Sequence, residues 1–162
     1  MAQNRGKQFE EVIRQAFLKV PDVSVDRLHD QVTFYKGSTN ICDFIVYKKP
    51  YEYYIECKSV HGNVLPFSNI SITQWEGLLE KSTIKGVTAG IICWWIDRDI
   101  TGFIPIQELQ RCADDGRKSI RFDDGLYSYI EFYPIAGKKK RVFFEYDMDL
   151  FFRAIEKERR HI

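Results

Sequence analysis

CDFIVYK at 42–48 and EYYIECKSV at 52–60 are separated only by Lys49-Pro50-Tyr51. Both segments are rich in β-branched and aromatic residues, and the Lys-Pro break between them predicts a β-hairpin. Along the second strand, Tyr54, Glu56 and Lys58 project from one face and Ile55, Cys57 and Ser59 from the other. An acid and a lysine therefore interrupt one face of an otherwise apolar strand. Asp43 stands near the start of the first strand and Glu56 near the end of its neighbour. Paired strands run about 4.8 Å apart, so the hairpin can bring the two carboxylates to one place.

Two such carboxylates form a hard-oxygen site suited to Mg²⁺ or Mn²⁺, to which the backbone carbonyl of Cys57 could add a ligand. A metal there polarises a phosphoryl oxygen and lowers the pKa of a bound water, and Lys58 could orient that water or offset developing charge. The chemistry fits phosphodiester hydrolysis. The plainer reading of the same residues is an ion pair between Glu56 and Lys58, or an exposed strand edge.

Outward from the hairpin, residues 6–19 predict an amphipathic helix, with Phe9, Val12, Ile13, Ala16 and Phe17 at three- and four-residue spacings. Asn4 is placed to cap it, and Pro21 lies just past its end. Residues 23–28 and 32–36 are short extended candidates. Residues 71–81 predict a second helix, capped by Ser71, with Ile72, Trp75, Leu78 and Leu79 as one apolar stripe. The run GVTAGIICWWI at 86–96 carries no charge, and its 87–96 portion reads as a central strand buried on both faces. A short helix over 105–114 opening at Pro105, strands near 127–133 and 141–146, and a last helix over 148–160 complete an α/β domain on a mixed central sheet flanked by helices.

At 162 residues, 44% hydrophobic and 29% charged, the chain is expected to form one domain over 1–162, and a disordered or low-complexity protein is excluded. Its longest uncharged run is too short to span a bilayer. Four cysteines without a CxxC pair predict free thiols and a cytoplasmic protein. The net charge of +1 conceals basic ends around an acidic middle: residues 136–162 carry eight basic and five acidic side chains. That distribution suits a phosphate backbone held near a carboxylate site, although KKKR at 138–141 reads equally as a solvated turn.

The head NRGKQFEE at 4–11, the D-x12-E-x-K hairpin, LPFSNISITQW at 65–75 and GVTAGIICWW at 86–95 together resemble a RecU-type Holliday junction resolvase, within the PD-(D/E)xK nuclease superfamily. The resemblance covers roughly residues 4–110 and suggests a phage- or prophage-type relative. It implies a restriction-endonuclease-like fold and a Mg²⁺-dependent endonuclease that resolves four-way DNA junctions. A homodimer would nick two strands symmetrically. By the same resemblance Glu10 matches the first-helix acid, Asp43 and Glu56 the metal-binding carboxylates, and Lys58 the motif lysine. Gln74 matches the glutamine on the helix after the hairpin, with Asn69 just ahead, and Arg5 and Gly6 match the N-terminal block. Arg5, Lys7, Lys36, Lys138, Lys139 and Lys140 are the candidates for DNA phosphate contacts. Thr73-Gln74 replaces the family's histidine-glutamine pair, and only 29–42 is available for its protruding stalk. A nuclease of the same superfamily with other specificity, and a non-catalytic DNA-binding accessory, are the alternatives.

Other residues read more plainly. Cys57 and His61 are too sparse for a zinc site, so a core cysteine and a loop histidine are expected. Trp75, Trp94 and Trp95 fit core packing better than base stacking, with Trp94 and Trp95 on opposite faces of their strand. Asp97-Arg98-Asp99 reads as a turn, and Ser38-Thr39-Asn40 as a polar loop.

Overall fold

A computed structural model describes residues 4–28, 40–123, 125 and 129–160. The predicted strand at 32–36, Lys36, Ser38 and Thr39 lie outside them. A six-stranded sheet forms the centre. Its strands are β1 (Val23–Arg27), β2 (Phe44–Lys48), β3 (Tyr51–Val60), β5 (Val87–Trp95), β6 (Ile100–Pro105) and β8 (Tyr133–Pro134), neighbours in that order. The predicted hairpin is β2–β3, with Phe44 opposite Ile55 and Lys48 opposite Tyr51. β3 then pairs in parallel with β5, and every other neighbouring pair in the sheet is antiparallel. The sheet is mixed, as expected. Two small antiparallel pairs lie outside it: β4 (Val64–Pro66) with β7 (Ser119–Arg121), and β9 (Gly137–Lys139) with β10 (Phe144–Tyr146).

Helices cover both faces. On one lie α1 (Arg5–Leu18) and α4 (Met148–Arg159), whose Phe9, Ile13, Phe17, Phe151 and Phe152 pack with Tyr53, Ile55, Ile92 and Trp94 of the sheet. On the other lie α2 (Ile72–Ser82) and α3 (Ile106–Asp114), whose Leu78, Ile106 and Leu109 pack with Tyr54, Ile91, Cys93 and Trp95. β5 is buried from Ala89 through Trp95, and its two tryptophans enter opposite cores, as its run of apolar residues requires. Asn4 caps α1 by accepting from the Lys7 N–H, and Ser71 and Gln74 close a reciprocal capping box on α2.

The structure corrects several expectations. Ile72 is 74% exposed and does not belong to the buried stripe of α2. As the first residue of its helix it lies before the turn at which Trp75 meets Phe67 and Leu78 enters the core. β6 is absent from the sequence reading, because Gly102 breaks the strand pattern. The glycine is required there: a Cβ would lie 2.0 Å from the Phe132 ring. The strand expected over 141–146 is confined to Phe144–Tyr146, after a bend at 141–143, and of 127–133 only Tyr133 is extended among the described residues. Pro105 caps α3 from the preceding position rather than opening it. No described helix is long and apolar enough to cross a membrane.

Candidate active site

β3 and β5 run in parallel and their neighbours run against them, which collects the start of β2 and the C-terminal ends of β3 and β5 at one end of the sheet. Asp43 stands immediately before β2. Its N–H donates to the Ile55 carbonyl at 3.0 Å, and its carbonyl accepts from the Leu28 N–H at 2.9 Å. The backbone ladder thus fixes Asp43 although it falls outside the strand proper. Its carboxylate turns across to β3, where Oδ2 accepts from the Cys57 N–H at 2.8 Å. A further constraint comes from α2. Gly77 has no side chain where Ile41 packs, and a Cβ there would approach Ile41 Cγ2 to 2.3 Å. The segment leading into Asp43 is therefore seated directly on the helix that carries Gln74.

Glu56 points to the α2 side of β3 and is 4% exposed. Its Oε1 accepts from Gln74 Nε2 at 2.8 Å and lies 3.0 Å from Lys58 Nζ. Lys58 Nζ also donates to Gln74 Oε1 at 3.4 Å, closing a triangle of carboxylate, ammonium and amide. Glu56 Oε2 is buried with no hydrogen-bond partner. The Asp43 and Glu56 carboxyls lie within hydrogen-bonding reach of each other. Burial pushes Asp43 up to about 7, and the neighbouring Glu56 charge adds to the push. Burial likewise raises Glu56, against the pull of Lys58.

A buried and a half-buried acid this close need a shared proton or a cation between them. The donor set fits a divalent metal: an orphaned carboxylate oxygen, a second carboxylate, and the Cys57 carbonyl. Cys57 and Ile55 are two residues apart on β3, so their main-chain groups point to the same edge, past the first residue of β2. The described residues hold no group of three or more His, Cys, Asp or Glu arranged for a metal, so any such site rests on this mixed oxygen set.

Glu10 lies on α1, where its Oε2 is 3.1 Å from Arg27 of β1, and its charge reaches both Glu56 and Cys57. Sequence reasoning missed Arg27. Its signal was a basic residue near the end of the extended segment expected over 23–28. Asn69 is exposed on the short turn Phe67–Asn69 ahead of α2. Arg5 and Lys7 are exposed at the start of α1, and Arg5 is close enough to act on Asp97, after β5 at the same end of the sheet. Lys138, Lys139 and Lys140 are exposed around β9. Lys139 pairs with Asp99 at 2.7 Å, and Lys140 with Glu145 at 3.3 Å.

The plainer readings hold elsewhere. The Cys57 side chain is buried in the α1-side core, whereas His61 faces Asp97 in solvent, so the two form no zinc pair. Trp94 and Trp95 are core residues, and Trp75 is partly buried with its indole N–H donated to Gln110 at 2.6 Å.

No protein-family model matches the chain, and no curated protein matches it. Among solved structures it resembles Hjc from Archaeoglobus fulgidus, a Holliday junction resolvase from an archaeal hyperthermophile. The two chains are 20% identical with a TM-score of 0.51, and the match covers 76% of this chain and 92% of that one. The likeness shows the fold alone, an α/β domain with a mixed central sheet flanked by helices.

Proposed function

We propose that this protein is a metal-dependent DNA endonuclease that resolves four-way junctions by paired nicks, acting as a homodimer. The observation that carries the proposal is the close pair of half-buried Asp43 and buried Glu56, joined to Lys58 and Gln74 at one end of a resolvase-like sheet. The blocks at 4–11, 65–75 and 86–95 favour a RecU-type enzyme within that fold.

Asp43, Glu56 and the Cys57 carbonyl would hold Mg²⁺ or Mn²⁺, which when bound supplies Lewis acidity at the phosphodiester and acidifies water. Asp43 accepts the Cys57 N–H, which keeps its other oxygen turned from the ladder toward the site. Glu56 is held in place by Gln74, whose own carbonyl is tied to the Ser71 N–H. Lys58 places one positive charge beside the scissile phosphate. In hydrolysis a water oxygen bonds to phosphorus as the bond to one sugar oxygen breaks, and an ammonium there stabilises the extra charge on the phosphoryl oxygens. Glu10, paired with Arg27, is a positioning residue that keeps the rim of the site acidic. Arg5, Lys7 and the lysines at 138–140 supply phosphate contacts.

The test compares a labelled four-way junction with linear duplex of the same sequence, each with Mg²⁺ and with EDTA. Paired symmetric nicks in the junction alone, only with metal, are expected. Equal cutting of both substrates would remove the junction specificity and keep the nuclease chemistry. Binding without cutting under any metal would favour the accessory role.

A further inference from the structure

The turns after β3 and β5 are clamped together at the end of the sheet that carries the acid pair. His61 Nδ1 lies 3.1 Å from Asp97 Oδ1, the Gly62 N–H donates to Asp97 Oδ2, and Arg98 Nε donates to Asn63 Oδ1 at 2.7 Å. The Gly62 N–H and His61 hold the Asp97 carboxyl below its ordinary range. Asp97 is thus an acceptor only, so Nδ1 carries the proton and Nε2 is the free ring nitrogen. The ring is nevertheless 64% exposed, so the ion pair adds little stability of its own. What it does is aim an imidazole. The Arg98 guanidinium is fixed through Nε alone by Asn63, and the residue is exposed. Asp97 meets the ring directly, and Arg98 and Asp99 follow it in the same turn. Arg5 at the start of α1 acts on Asp97, and Asp99 is itself paired with Lys139 at 2.7 Å. Both acids of the turn are committed to internal bonds, Asp97 to His61 and the Gly62 N–H and Asp99 to Lys139, beside His61, Arg98 and Arg5, which are able to carry positive charge.

We propose that His61 and Arg98, aimed by Asp97 and Asn63, are a second phosphate-binding patch that grips the DNA strand on one side of the cut. The proposal rests on the nuclease reading and deepens it by naming where the flanking backbone lies. Five residue steps along β3 and just past its end separate Glu56 from His61, about 16 Å, or about five nucleotides at 3.4 Å along one strand. With Nδ1 donating to Asp97, His61 donates to a phosphate through Nε2 as the imidazolium, held between the two.

The test measures junction binding at pH 6 in EDTA, using DNAs with one neutral methylphosphonate at each position within five nucleotides of the cut. His61→Gln, Arg98→Gln and the double variant are compared with the wild type; glutamine can still donate to Asp97 or Asn63, so the clamp survives. The wild type should be weakened by the neutral linkage at one or two positions. The double variant should bind the all-phosphate junction about tenfold more weakly. It should be insensitive to those same linkages, and its log–log salt slope should be smaller by about 0.9 for each phosphate it no longer neutralises. Unchanged affinity with the wild-type interference pattern in the double variant overturns the proposal while leaving the nuclease reading standing. A wild type that binds no junction DNA removes both.

Discussion

Gln74 Nε2 and Glu56 Oε1 meet at 2.8 Å, while Gln74 Oε1 accepts from the Ser71 N–H at 3.1 Å. One amide therefore both closes the N-terminal capping box of α2 and holds the most buried acid among the described residues. The helix start and the candidate site are a single unit, and this explains why the glutamine sits three residues after the capping serine. We expect Gln74→Ala to cost about 1 kcal/mol of stability by removing half of the cap, read from urea unfolding. Junction cutting should fall well beyond that, about 10- to 100-fold in single turnover, because Glu56 loses its positioning partner. A drop in stability with unchanged cutting would reduce Gln74 to a cap.

The acid pair gives the metal-free protein a distinct pH profile. Asp43 is pushed from 3.8 up to about 7, and Glu56 is raised with it. An acid raised in the folded state binds protons more tightly there than in the unfolded chain. Its contribution to stability is fully present at low pH and is lost as pH rises through the folded value. In EDTA the melting temperature should therefore fall between about pH 4 and 7 from this pair, and Mg²⁺ should restore it increasingly as pH rises. Asp43→Asn should flatten both trends. A metal effect independent of pH in the wild type would contradict the pairing of the two acids.

Lys58→Met removes the ammonium from Glu56 and from the phosphate while keeping the length of the side chain. Junction cutting should drop by about 10²- to 10³-fold. Binding measured in Ca²⁺ should change by only a few fold, since Lys58 is one charge among several along the phosphate backbone. A parallel fall in binding and cutting would make Lys58 a DNA-binding residue instead.

Gly77→Ala tests how α2 positions Asp43. Helix propensity favours alanine by about 1 kcal/mol, but its Cβ would meet the body of Ile41, not a flexible tip. Overpacking costs about 1–3 kcal/mol, so the net change should be destabilising. Cutting should fall as the 40–43 segment is displaced, and the added substitution Ile41→Ala should restore it. Greater stability with full cutting in the single variant would show that Ile41 moves aside freely.

The hairpin, the two-sided burial of β5 and the capped helices were legible because each is written in local alternation or capping chemistry. Glu56 and Lys58 stood out for the same reason, as polar residues where the strand pattern calls for apolar ones, and Asp43 by its place at the head of the partner strand. What was not legible depends on partners distant in sequence. β6 carries Gly102 because the Phe132 ring lies over it, and the exposure of Ile72 follows from where α2 begins to meet the core. The pairing of Glu10 with Arg27, seventeen residues on, and that of His61 with Asp97, thirty-six on, likewise exist only once the sheet is assembled.

The most direct measurement is the pair of Kd and single-turnover rate for Asp43→Asn on a four-way junction. Asparagine keeps an oxygen to accept the Cys57 N–H, so the fold around β2 and β3 is retained while one carboxylate charge is removed. We expect junction binding within a few fold of wild type and cutting in Mg²⁺ reduced to background. Cutting at the wild-type rate by Asp43→Asn would contradict a metal nuclease built on Asp43 and Glu56.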